Sequence, residues 1–179
     1  MCDTGYSVKR LVEDLNRLQA HGEPEAALLE EVRERVKRLL LMKHNWLRSS
    51  MCVPGADPSS PGCYKLHEEP DHSLAVFVVT WAPGGETPPH DHGTWAVIAG
   101  LDGWETLHRW KRVDDGSNPV VRDGSERVDT KAIVAMDSSA IHSVQNDSGA
   151  VSVTLHVYGM DPDYTDGRDY IPNPPEEVS

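Results

Sequence analysis

Cysteine is scarce, with only Cys2, Cys52 and Cys63 in 179 residues. An odd count without CxxC spacing gives neither a disulfide framework nor a thiolate zinc or redox motif, and it points to a reducing cytoplasm. Positive charge is also short, with 17 Lys+Arg against 29 Asp+Glu for a formal net charge of -12. Such a chain repels phosphate backbones and anionic headgroups, so neither nucleic acid nor a membrane surface is an expected partner. No apolar run approaches the ~18 residues of a membrane span. The acidic start Met1-Cys2-Asp3-Thr4 lacks the features of a signal peptide. There is no internal repeat. What remains is 38% hydrophobic, 26% charged and 6% aromatic, the composition of one globular domain. A domain of this length buries roughly 70% of its unfolded surface and needs no staples.

Two amphipathic stripes open the chain. Val8, Leu11, Val12, Leu15 and Leu18 follow a Ser7 cap and stop at Gly22. Pro24 then precedes Leu28, Leu29, Val32, Val36, Leu39 and Leu40, a stripe that fades near Lys43. Both helices are expected to pack on the rest of the domain and to carry no chemistry. Residues 51–61 are dense in turn formers and read as a surface loop. Beyond them come short β-rich runs at Leu74–Trp81, Trp95–Ala99, Trp104–Val113, Ala132–Met136 and Val151–Tyr158. Asp114-Asp115-Gly116 and Asp123-Gly124 read as turns between strands, and the texture is that of a sandwich or small barrel. The tail from Asp161 is rich in Asp, Pro and Glu, and its end is expected to be mobile.

Nine histidines are present, and His90-Asp91-His92 is the pair with chemistry in its spacing. In an extended segment residues i and i+2 share a face, so both imidazoles can reach one metal ion. Gly84 stands six positions before His90 and Gly103 eleven after His92. This spacing resembles the first cupin motif, G(X)5HXH(X)3E(X)6G, with Ala96 in place of the acid. His142 and Asn146 resemble the end of the second motif, H(X)3N, while Asp137-Ser138-Ser139 stands where that motif has PXG. The resemblance implies a mostly β fold, a cupin double-stranded β-helix barrel (jelly roll) with N-terminal helices packed against it. It divides residues 1–179 into a helical part (1–48), a barrel (62–160) and a C-terminal tail (161–179). It also implies that the strand bearing His142 lies beside the segment bearing His90 and His92.

Three neutral imidazoles without a carboxylate leave a divalent ion its full charge and about three open positions. Anionic ligands such as a thiolate suit that ion, and iron can also take O2. Zinc fits the same donors and would activate water instead. Further on, Thr154, His156 and Tyr158 share one face of an extended run, with Leu155 and Val157 on the other. If that face lines a barrel, its polar groups must bond one another. If it meets solvent, the run is an ordinary alternating strand.

With these residues the chain resembles the thiol dioxygenases, the cupin family of cysteine and 3-mercaptopropionate dioxygenases. The resemblance covers most of the chain, including Tyr64-Lys65-Leu66-His67, residues 80–92 and residues 141–146. It implies an Fe(II) cofactor held by His90, His92 and His142, and a relay of Thr154, His156 and Tyr158 in which Thr154 replaces the usual Ser. The implied partners are O2 and a small carboxylated thiol, 3-mercaptopropionate or cysteine, with the oligomeric state left open.

Cys63 aligns near the position where these families carry an arginine or a glutamine toward substrate, so it is a candidate substrate contact placed away from Tyr158. Its residue type alone favours the other reading, a small buried apolar residue. Arg168, the only Lys or Arg after Lys131, is the candidate carboxylate binder. It could instead pair with Asp166 or Asp169 on the surface. Cysteine dioxygenases of the animal type crosslink a cysteine to the tyrosine of the relay, but residues 93–97 hold no cysteine, so the resemblance implies an uncrosslinked Tyr158. A non-catalytic or zinc-binding cupin that binds a small ligand is the alternative, and another cupin enzyme remains open.

Overall fold

The computed structural model describes residues 5–22, 25–57, 59–114 and 118–173. Pro24, residues 115–116 of the first expected turn, and the end of the tail lie outside them. Three helices come first: α1 (Val8–Ala20), α2 (Glu25–Leu41) and the single turn α3 (Lys43–Trp46). Ser7 Oγ accepts from the Arg10 amide at 3.2 Å, which starts α1, and Gly22 takes φ +66° just past its end.

Nine strands follow: β1 (Gly62–Glu68), β2 (Ala75–Trp81), β3 (Ala96–Asp102), β4 (Trp104–Arg112), β5 (Pro119–Asp129), β6 (Ile133–Met136), β7 (Ile141–Gln145), β8 (Ser152–Tyr158) and β9 (Ile171–Pro172). They form a five-stranded sheet ordered β1-β2-β8-β3-β6 and a four-stranded sheet ordered β7-β4-β5-β9. Antiparallel neighbours far apart in sequence, such as β2 with β8 and β4 with β7, are the pairings of a jelly roll. Gly103 at φ +62° lets the chain turn directly from β3 into β4, where a Cβ would meet the Val151 carbonyl at 2.4 Å.

Strand alternation sorts the five-stranded sheet into two faces. Val76, Val78, Val97, Leu101, Leu155 and Val157 pack with Leu11, Leu15, Val32, Val36 and Leu39 of the helices in one apolar cluster. Each such side chain contributes about 1.5–3 kcal/mol by leaving water. The opposite face, including Thr154, His156 and Tyr158, turns into the barrel, and every residue of β8 is buried. An alternating strand with a wet polar face is therefore excluded.

Among the described residues no helix is long and apolar enough to cross a membrane. The expected turn at Asp123-Gly124 is corrected, because both residues lie within β5. Arg109 faces Gly124 while Trp110 faces Arg122, so Asp123 is the extra residue of a bulge. Only Val120 and Val128 of β5 are buried, and a strand this polar carries little periodic apolar signal.

Candidate metal centre

The segment between β2 and β3 runs along β7. Thr87 N donates to the Val144 carbonyl at 2.9 Å, and its Oγ1 accepts from the Val144 amide at 2.9 Å. His90 and His142 then exchange both backbone bonds, at 2.8 and 2.9 Å. His90 is thus an isolated bridge rather than part of a regular strand. The two side chains at i and i+2 nevertheless converge with His142 on one point. Asn146, the last residue of the second motif, is fully buried and spends its amide on the carbonyls of Trp81, Ala82 and Ala150 at 2.8–3.1 Å. Its role is to pin the turn after β7.

These constraints bring one ligand nitrogen each from His90, His92 and His142 to within 4.8 Å of one another. Their ring centroids are 4.4–5.0 Å apart. Burial lowers the pKa of all three, that of His92 to about 3, and their mutual repulsion adds to this for His92 and His142. All three are therefore neutral and hold free lone pairs. His90 Nδ1–H donates to the Pro88 carbonyl at 2.8 Å, which fixes the tautomer with Nε2 available. His92 Nε2 and His142 Nδ1 are buried without a hydrogen-bond partner. Three converging neutral imidazoles with orphaned nitrogens fit a divalent transition metal, and the donor set suits iron or zinc alike.

Beside this cluster, Thr154 Oγ1 lies 3.0 Å from His156 Nε2, and His156 Nδ1 lies 2.8 Å from the Tyr158 hydroxyl. Both bonds are buried. The Tyr158 ring stands edge-on to His92, with centroids 4.7 Å apart. Burial holds the phenol protonated, far above its usual range, and lowers His156 to about 3, so the chain is a neutral hydrogen-bonded row. Ala96, which replaces the acid of the first motif, faces Tyr158 directly in the β3–β8 register.

The tail is not loose where it meets the site. Asp91 N donates to the Arg168 carbonyl at 3.0 Å, and Tyr170 N donates to the Pro89 carbonyl at 2.8 Å. Gly167 passes so close that a Cβ would sit 2.8 Å from the Asp91 carbonyl. The Tyr170 hydroxyl donates to Asp91 Oδ2 and accepts from Arg112 and from Arg168 Nε, at 2.7 and 2.9 Å. Sequence reading missed Asp91, Tyr170 and Arg112, because this clamp joins residues up to 79 positions apart. Asp91, between the two histidines, was the one visible hint.

Arg168 lines a cavity of about 240 Å³ together with His90, His92, Pro162 and Thr165. It bonds Tyr170 and approaches Asp91 at 4.0 Å, and among the described residues it makes no pair with Asp166 or Asp169, the alternative reading. Its terminal nitrogens make no hydrogen bond among the described residues. Cys63 is exposed, which overturns the reading as a small buried residue. Its register partner Val79 also faces Thr154, so Cys63 shares the inner face of the sheet with the relay.

No protein-family model matches the chain. Among solved structures it is similar to a protein with a double-stranded beta-helix domain from Klebsiella pneumoniae subsp. pneumoniae MGH 78578, at 14% identity over 68% of this chain and 92% of that one, with a TM-score of 0.52. It also matches an oxalate oxidase at 18% identity over 65% of this chain and 60% of that one, TM-score 0.49. A third match is a Cupin 2 conserved barrel domain protein from Salinispora arenicola CNS-205, at 15% identity over 59% and 80% of the two chains, TM-score 0.45. At these identities the likeness concerns architecture. Mostly β, with curled sheets and a few N-terminal helices, the chain has the double-stranded β-helix fold of the cupins.

Proposed function

We propose that the protein is an iron(II) thiol dioxygenase that converts a small carboxylated thiol, 3-mercaptopropionate or cysteine, to its sulfinic acid. The observation that carries this reading is the three-imidazole cluster without a carboxylate, flanked by a buried Thr154–His156–Tyr158 row whose phenol ring touches His92. Bound iron(II) would supply positions for a thiolate and O2 and the redox chemistry between them. The balance is RSH + O2 → RSO2H, which needs no external reductant.

The chain's own residues do the rest. His90, His92 and His142 hold the metal as neutral donors. Tyr158, kept protonated by burial, offers a hydroxyl at the edge of the site, and His156 and Thr154 orient it. Arg168 lines the cavity beside His90 and His92 and its terminal nitrogens make no hydrogen bond among the described residues, which supports a role in gripping the substrate carboxylate. Cys63 opens on the same inner face of the sheet.

Anaerobic loading with Fe(II), followed by O2 uptake with 3-mercaptopropionate, cysteine, mercaptosuccinate and cysteamine in parallel, tests metal, reaction and substrate together. Uptake with carboxylated thiols supports the reading. Tight zinc binding with no uptake from any thiol favours the ligand-binding cupin instead. Within the same assay, Arg168→Ala should lower kcat/KM by about 10- to 100-fold for carboxylated thiols, the loss expected for a charge-assisted hydrogen bond, and leave cysteamine unchanged. Equal losses on both substrates, or none, would remove Arg168 from recognition.

A further inference from the structure

Glu105 is a carboxylate with no place in the relay as described. It sits on β4, is fully buried, and faces across the barrel to β8. Its Oε2 accepts the Ser152 hydroxyl at 3.0 Å, while Oε1 has no hydrogen-bond partner. Thr154, the end of the relay, stands two residues beyond Ser152 on the same buried face of β8, and its hydroxyl lowers the carboxyl's pKa alongside that of Ser152. The Thr154 proton is only loosely committed, its other acceptor being the Val79 carbonyl at 3.4 Å. We propose that Glu105 sets the direction of the Thr154–His156–Tyr158 hydrogen-bond chain, and so decides whether the phenol presents a proton or a lone pair to the metal site.

An ionised Oε1 can only accept, so it draws the Thr154 hydroxyl proton. Thr154 Oγ1 must then accept from His156 Nε2–H, and the bare Nδ1 accepts the Tyr158 proton. In that state the phenol oxygen faces the site as an acceptor. A neutral carboxyl, with Oε2 occupied by Ser152, carries its proton on Oε1 and donates to Thr154. Thr154 then donates to His156 Nε2, His156 Nδ1–H donates to the phenol oxygen, and the Tyr158 proton is free to point into the site.

The surroundings make both states reachable. Across from Glu105, β5 presents Val128. The residues sharing a face with Ser152, Thr154 and His156 are Trp81, Val79 and Phe77 of β2, and Gly100 and Ile98 of β3. The polar groups toward Glu105 are thus Ser152 and Thr154, with His156 and Tyr158 behind them, and among the described residues no cation offsets its charge. Burial raises its pKa to about 7, against the two hydroxyls that lower it.

The direction of the chain does not depend on the reaction. Its effect on catalysis rests on the thiol dioxygenase reading, so the test reads the two separately. Nitrogen-15 spectra of histidine-labelled full-length protein, with diamagnetic Zn(II) present, report the His156 tautomer between pH 5.5 and 8.5. His156→Gln assigns the signal. The expected result is Nδ1–H at low pH and Nε2–H at high pH, with a midpoint near 7. In Glu105→Gln, which carries no charge at any pH and whose carbonyl is held by the Ser152 hydroxyl so that its NH2 turns to Thr154, Nδ1–H should persist throughout. Ser152→Ala removes a bond that favours the ionised carboxyl and should move the midpoint upward. An invariant tautomer in the unaltered protein, or an unchanged switch in Glu105→Gln, overturns the proposal. The activity arm follows kcat, which should fall above pH 7 in the unaltered protein and stay level in Glu105→Gln. Oxygen uptake with superimposed pH profiles in the two proteins would overturn the catalytic part alone. A tautomer switch without any uptake would uphold the proposal and defeat the dioxygenase reading.

Discussion

Replacing any one of His90, His92 or His142 with alanine is expected to abolish metal binding and thiol-dependent O2 uptake together. Among the described residues the three neutral nitrogens within 4.8 Å of each other form the candidate ligand set, and Ala96 stands where the motif has its acid. Two imidazoles alone hold a divalent ion far more weakly. Metal analysis after loading should therefore fall from about one ion per chain to background. Circular dichroism should show the barrel intact, because His142 is tied into the ladder through its backbone and not its ring. His108 supplies the control. It is buried on β4, but its ring lies between Ser125 Oγ at 2.7 Å and Gln145 Oε1 at 3.3 Å, so His108→Ala should cost stability and leave metal content unchanged. Full metal occupancy in all three ligand variants would defeat the site.

Tyr158→Phe should keep the metal and the fold and lose about 10- to 1000-fold in turnover, the range for removing one donor aimed at developing charge. The substitution keeps the ring that packs against His92 and Phe77 and deletes one hydroxyl. It leaves His156 Nδ1 without its partner, a modest cost of about 1–3 kcal/mol in stability. The kinetic pattern separates the roles. A phenol that acts on the reacting atoms lowers kcat with little change in KM, whereas a packing residue changes neither. Unchanged turnover would show that the hydroxyl has no part in the chemistry.

Much of the barrel was legible because its signals are local. The helical stripes, the runs that became β2, β3, β4, β6 and β8, and the i, i+2 geometry of His90 and His92 all follow from periodicity within a few residues. The alternation of β8 could be read, but two readings fitted it, and the sequence could not say which face met solvent. Strand β5 was hidden because its residues are mostly polar and exposed, and its bulge imitated a turn.

By itself the sequence determined the ligand types, the spacing that lets two histidines share a face, and the resemblance that added His142. It could not place Glu105 behind Thr154, close the tail over the site through Tyr170 and Asp91, or set Cys63 on the inner face of the sheet. Those facts arise from pairings between distant strands. A period of two tells which residues share a face, but only closure of the two sheets decides which groups that face then meets, and therefore which of its polar atoms are paired and which are left without a partner.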